Sequence, residues 1–286
     1  MLFEKAAAEY ISEKRRMRRE STVEGYESAL RLHVLPRWGG VELEDIDPED
    51  LQSWVMSFEM PGAAEKAYKT LRQVIRWAIR KYRLRIYDPT TAGIELPKKP
   101  AYHPQVLDAG QARDYLRGMW GCTAEAVAIC SLTLGLRRGE SCALTWGDIN
   151  FKTGEVHISK SRQDVRSGTV VVPPKTDRSD RSLWLPAFAL KRIRQLGKGH
   201  RKGDLICPLS PSTAARRIKS WCKSHQIPHV SMTNLRHSWA TLAIEAVAMM
   251  LGHTEIGTAY EHYIVPRKSV CVQAQRTWAA HLQRAA

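Results

Sequence analysis

Acid is scarce in this chain. Across 286 residues, 29 Asp and Glu stand against 44 Lys and Arg, a formal net charge of +15. A surplus of that size points to a polyanionic partner, with nucleic acid the leading choice; a basic protein without such a partner is the plainer reading of charge alone. Long apolar runs are also missing. The longest, near Ala126–Leu136, is too short to cross a bilayer, and the opening Met-Leu-Phe-Glu-Lys carries charge where a signal peptide needs an apolar core. The six cysteines (Cys122, Cys130, Cys142, Cys207, Cys222, Cys271) form no C-x-x-C pair and no His/Cys zinc spacing. They read as reduced, mostly buried thiols, and no metal or cofactor is expected. Internal repeats and low-complexity tracts are absent from the sequence. Together these absences predict a soluble, cytoplasmic protein.

Three stretches differ in pattern. Residues 1–95 read as helices only. Phe3, Ala7, Tyr10 and Ile11 share one face, ahead of the basic run Lys14–Arg19. A second helix is expected to start at Ser21 or Thr22 and to end before Pro36, with Tyr26, Leu30 and Val34 inward. Asp47-Pro48-Glu49-Asp50 predicts a capped helix start, leading through Trp54 and Phe58. A further helix from about Ala63 to Arg83 carries Lys66, Lys69, Arg72, Arg76, Arg80 and Lys81 on its polar face. Solvated faces normally mix signs, so this stripe reads as a DNA-backbone surface rather than a merely exposed one. Residues 96–106, around Pro97-Lys-Lys-Pro100-Ala-Tyr-His-Pro104, read as a linker. From 107 to 286 the pattern is mixed. Helices are expected near 109–118, 123–134 and 138–144, strands at Val156–Ser159, Thr169–Pro173 and Ser182–Leu185, and helices to the end.

Three elements in this last stretch carry chemistry. In Gly135-Leu136-Arg137-Arg138-Gly139-Glu140, a glycine turn delivers Arg137 to a helix start, where it could grip a phosphate oxygen; taken alone, the element reads more readily as a surface arginine at a helix start. Pro173-Pro174-Lys175-Thr-Asp-Arg-Ser-Asp-Arg-Ser-Leu-Trp-Leu-Pro186 suggests two strands around a polar turn. There the Lys175 ammonium could enter a DNA groove or protonate a leaving oxygen, or simply stay solvated. The third element is Thr233-Asn-Leu-Arg236-His237, followed by Leu251-Gly252-His253 and Tyr263. A tyrosine hydroxyl titrates near pH 10, so as a nucleophile it needs cationic surroundings. Two arginines can supply them and stabilise the charge that builds on a pentacoordinate phosphorus.

These motifs, in this order, resemble the tyrosine recombinase (phage integrase) family, and the resemblance spans essentially the whole chain. It implies a mainly α fold with a small antiparallel β-sheet: a helical core-binding domain followed by a catalytic domain. It also implies roles for matching residues. Arg137 and Arg236 would clamp the phosphate, Lys175 would protonate the 5′-oxygen, His253 would hold the phosphate, and Tyr263 would form a 3′-phosphotyrosine. Glu140 would be a supporting acid. Tyr260, on the same stretch, competes with Tyr263 as nucleophile or is a packing residue. The partners implied are double-stranded DNA bearing a specific site and three further copies of the chain, forming a homotetramer on DNA from free monomers. Neither ATP nor metal is required, because the phosphotyrosine retains the bond energy. The setting implied is a bacterial host's cytoplasm, at the nucleoid. The tail with Val272, Trp278 and Leu282 would dock on a neighbouring protomer or fold back on its own domain, and no arm-binding module is expected ahead of the helical domain.

Two departures from the family pattern stand out. Thr233 occupies a position that is usually histidine, and threonine cannot act as an acid or base near neutrality. The segment between Arg236 and Leu251-Gly252-His253 is shorter than usual and lacks glycine and proline. One straight helix from Arg236 to His253 would separate them by about 25 Å, so a break near Ala246 is expected if the two are to share a phosphate. Two other readings remain open: a decayed integrase that binds DNA without cutting it, and a type IB topoisomerase.

Overall fold

The computed structural model describes residues 1–173 and 180–251, the last seven of these as backbone alone. Expectations that fall on 174–179 and 252–286 lie outside the described residues. The chain divides into two compact units, with the boundary between Tyr102 and His103 in the proline-spaced stretch. The fold is mainly helical with small antiparallel strand pairs.

In the first unit, helix α1 (Phe3–Met17) buries Phe3, Ala7, Tyr10 and Ile11. Helix α2 (Glu20–Ala29) starts earlier than the Ser21/Thr22 expectation, because the N–H groups of Thr22 and Val23 already bond to the Arg19 carbonyl. The chain does not stop before Pro36. It widens into a π-turn over Leu30–Val34 and continues as α3 (Leu35–Trp38), which carries Pro36 as its second residue. Helix α4 (Pro48–Met56) opens on Asp47, whose side chain accepts from the Glu49 N–H at 2.7 Å. It ends before Phe58, whose ring packs back on Trp54 with centroids 5.3 Å apart. Helix α5 (Pro61–Tyr82) is the long amphipathic helix. Its buried face of Ala67, Leu71, Val74, Ile75 and Ala78 closes the core with Phe3, Val34, Trp38 and Leu51.

In the second unit, α6 (Ala109–Gly118) starts at a reciprocal cap between Asp108 and Gln111. Helix α7 (Glu125–Leu134) is buried on every side and forms the centre of the unit. Its polar groups are internally satisfied: Glu125 pairs with Arg192 at 2.5 Å, and the Ser131 and Ser141 hydroxyls meet at 3.1 Å. Helix α8 (Arg138–Ser141) is a single turn rather than the longer helix expected to Leu144.

Among the described residues four strands follow: β1 (Glu155–Ile158), β2 (Ser161–Val165), β3 (Gly168–Val172) and β4 (Arg181–Trp184). The expected pairing of the third with the fourth across the Lys175 turn is not found among the described residues. β4 instead pairs antiparallel with β1, setting Leu183 opposite Val156, while β2 and β3 form their own hairpin. Strand β2 is absent from the sequence reading because Ser-Arg-Gln-Asp-Val has neither alternation nor a β-branched cluster. Tertiary bonds hold it: Arg162 Nη1 donates to the carbonyls of Cys142, Cys207 and Leu209 at 3.0–3.3 Å.

Helices α9 (Ala187–Leu196), α10 (Pro211–Ser224) and α11 (Met232–Leu251) complete the described chain. The five described cysteines are all free and buried. No described helix is long and apolar enough to cross a membrane.

Candidate functional site

A glycine turn builds the site in the second unit. Helix α7 ends at Gly135, which adopts the left-handed conformation (φ 61°); a Cβ there would run into the Trp239 ring. With no side chain in the way, α11 lies directly on the turn, and Arg236 donates from Nη1 to the Gly135 carbonyl at 2.7 Å. Immediately beyond, Arg137 stands at the N-cap of α8 and Glu140 lies within that turn. The Arg137 N–H donates to Glu140 Oε2 and its Nη1 to Oε1, both at 2.9 Å. Gly139 permits a second close approach, since a Cβ there would lie 2.6 Å from the Arg162 carbonyl of β2. Residues 101 positions apart in sequence thus meet because Gly135 removes the bulk between them, and Gly139 does the same between α8 and β2.

Arg181, the first residue of β4, is a third cation that the sequence reading did not single out. Its Nη2 lies 3.0 Å from Glu140 Oε2 and its Nη1 3.5 Å from Oε1. Glu140 is therefore shared between two arginines, with its side chain 7% exposed. Burial pushes this carboxyl up, but hydrogen bonds from Arg181 and Arg137 outweigh burial and hold it below the usual carboxylate range. Burial, reinforced by the charges of Arg137 and Arg181 and opposed by Glu140, lowers the pKa of the Arg236 guanidinium. Three guanidinium groups around one carboxylate leave an excess of positive charge, suited to an anion. The source of that field differs from expectation. Because α8 is one turn long, it comes from side chains rather than from a helix terminus.

Thr233 is exposed in the first turn of α11, one turn before Arg236. Helix α11 runs to Leu251 without the break expected near Ala246. Alanine, leucine and methionine are strong helix formers, and nothing in that stretch stops the helix. Lys175, His253, Tyr260 and Tyr263 lie outside the described residues. Among the described residues no three His, Cys, Asp or Glu side chains gather as a metal site.

In the first unit, Lys66, Lys69, Arg72, Arg76 and Arg80 are all exposed on α5. Together with Lys14 and Arg18 of α1 and the rings of Tyr10 and Tyr26, four of these cations line an open concavity of about 690 Å³. The run at Lys14–Arg19 was visible in the sequence, but its convergence with α5 was not. The stripe is also less uniform than the sequence reading has it, because Glu65 of the same helix pairs with Lys69 at 2.5 Å and Asp88, beyond it, with Arg76 at 3.1 Å.

Comparison with known proteins gives the family and the fold. Residues 121–269 match the model of the phage integrase family, and residues 2–58 match that of the phage integrase N-terminal SAM-like domain. The chain belongs to the phage integrase family. Among curated relatives of this integrase-family chain, prophage integrase IntF of Escherichia coli is 24% identical over 77% of the chain, which spans half of IntF. Tyrosine recombinase XerC of Xylella fastidiosa is 26% identical over 77% of the chain and 78% of XerC. In fold, the chain is similar to the Tn1549 transposon integrase bound to a circular intermediate DNA, with a TM-score of 0.71 at 17% identity and full coverage of both chains. It is likewise similar to lambda integrase in a tetramer bound to a Holliday junction, with a TM-score of 0.61 at 16% identity over 92% of this chain and 79% of that one.

Proposed function

We propose that this integrase-family chain is a site-specific DNA recombinase of a phage or other mobile element, cutting and rejoining strands through a covalent phosphotyrosine. The observation that carries the reading is the convergence of Arg137 and Arg236 on the Gly135 turn, with the buried Glu140 alongside. Two positioned guanidiniums can hold both non-bridging oxygens of a phosphodiester and stabilise the charge that grows in the transition state. Tyr263 attacks the phosphorus. The bond to the 5′-oxygen breaks, Lys175 gives that oxygen its proton, and the 3′-phosphate stays on the tyrosine with His253 against it. Attack by the 5′-hydroxyl of another strand reverses the sequence and releases the protein. Tyr260 is the reserve nucleophile, and Thr233 contributes a hydrogen bond only.

The exposed cations Lys66, Lys69, Arg72, Arg76 and Arg80 provide phosphate contacts for the duplex, so affinity falls as salt rises. Four copies assemble on the paired sites, as the lambda integrase tetramer on a Holliday junction suggests by its likeness. Binding without cleavage is the second reading, and one observation favours it: the unbroken α11 carries its backbone away from Arg236 up to Leu251.

A covalent-trapping assay separates the two. The protein is incubated with plasmid carrying the DNA that flanks its gene, quenched with detergent, and the adduct mapped by peptide mass beside Tyr263→Phe. An adduct on Tyr263, lost in the variant, supports recombinase chemistry; site-specific binding with no adduct overturns it.

A further inference from the structure

We infer that Arg181 is a positioning residue, which engages Glu140 so that the Arg137 guanidinium stays turned outward toward the phosphate. This rests on the recombinase reading above. The two arginines differ in how they meet the same carboxylate. Arg181 approaches as a fork, with each Nη on a different oxygen, and its side chain is 25% exposed. Arg137 touches one oxygen through Nη1, while its backbone N–H takes the other and its side chain remains 60% exposed. A buried carboxylate needs its charge and lone pairs satisfied. With Arg181 in place, Arg137 need only lean on Glu140. Without it, Arg137 is the nearest cation able to satisfy both oxygens, and closing on Glu140 would withdraw it from the anion seat and cancel its charge there.

Four proteins test this: the unaltered chain, Arg181→Gln, Arg181→Lys, and Arg181→Gln with Glu140→Gln. Glutamine keeps a hydrogen-bond donor of similar reach while removing the charge, and Arg181→Lys serves as a second variant that keeps a cation without the fork. Site-specific DNA binding, by gel shift, reports that each protein is folded. Covalent adduct formation at saturating DNA should fall roughly a hundredfold in Arg181→Gln, in keeping with the cost of a catalytic group slightly displaced. It should recover several-fold in the double variant, because a neutral carboxamide no longer draws Arg137 inward. Arg181→Lys should fall between.

Phenylglyoxal labelling of Arg137, read by peptide mass, follows the geometry whether or not DNA is cleaved. Labelling should slow several-fold in Arg181→Gln and return in the double variant. Unchanged labelling and cleavage in Arg181→Gln would overturn the inference. So would a double variant worse than the single, which is the signature of a purely structural pair. An unaltered chain that forms no adduct but shows the labelling pattern would sink the recombinase reading and leave the role of Arg181 standing.

Discussion

The molecule has two cationic regions, and they are built in opposite ways. On α5 the charges sit on one amphipathic helix, exposed, spaced by the helical repeat, and paired at the margins with Glu65 and Asp88. Around α8 the charges come from a glycine turn, a strand end and a distant helix; the first two share a single buried carboxylate, and the third is held by the Gly135 carbonyl. The first arrangement suits a duplex backbone, where many solvated contacts of modest strength add together. The second suits one phosphate, where the charge must be in place before the reaction begins. Exposure favours affinity, and burial with shared partners favours position.

Breaking each region should therefore have a different signature. The largest effect is expected from Arg236→Ala, which should reduce covalent adduct formation roughly a hundred- to thousandfold, as measured for the loss of one transition-state donor. Gel-shift affinity in the same variant should change little. Gly135→Ala comes next. It forces a side chain into a left-handed position and against the Trp239 ring, so the unfolding transition of the second unit should lose about 2–4 kcal/mol. Urea titration followed by tryptophan fluorescence would read it, and an unchanged transition would mean that the turn does not hold α11.

On the other side of the comparison, Arg72→Ala with Arg76→Ala should weaken DNA binding about tenfold near 0.1 M salt. The double change should also flatten the plot of log affinity against log salt by up to about 2. Adduct formation at saturating DNA should survive it. Strong loss of cleavage in that variant would erase the distinction between the two regions.

The smallest effect concerns pH. Because the Glu140 carboxyl is held below its ordinary range, it contributes stability that is present above its unfolded pKa and is lost as pH falls through its folded pKa. The thermal midpoint of the unaltered chain should exceed that of Glu140→Gln near neutrality, and the gap should close on acidification through the carboxylate range. A gap that widened in acid would contradict the assignment.

Legibility in the sequence followed the range of the interactions. Helices α1, α4, α5 and α6 could be read from apolar spacing and caps, because their buried faces and their cap bonds are local. What went unread depended on distant partners. Strand β2 owes its place to Arg162 reaching three carbonyls, and the partner of β4 turned out to be β1. The extended course of the chain through Pro36 and the brevity of α8 were likewise hidden. In the site, Arg137, Glu140 and Arg236 stood out by motif, whereas Arg181 looked like one more charge in a polar turn until Glu140 was seen beside it.

Legible from the sequence alone were the basic character, the helical first stretch, the family, and the arginines proposed to meet a phosphate. These follow from composition and from short-range order along the chain. Packing in three dimensions set Arg137 and Arg181 on one carboxylate with Arg236 on the adjoining turn, joined Lys14 and Arg18 to α5 around a common concavity, and carried α11 past Ala246 without a break. Each of these depends on which surfaces pack together: in the first unit α1 against α5, and in the second the close approaches at Gly135 and Gly139 and the burial of α7, none of which leaves a periodic trace in the sequence.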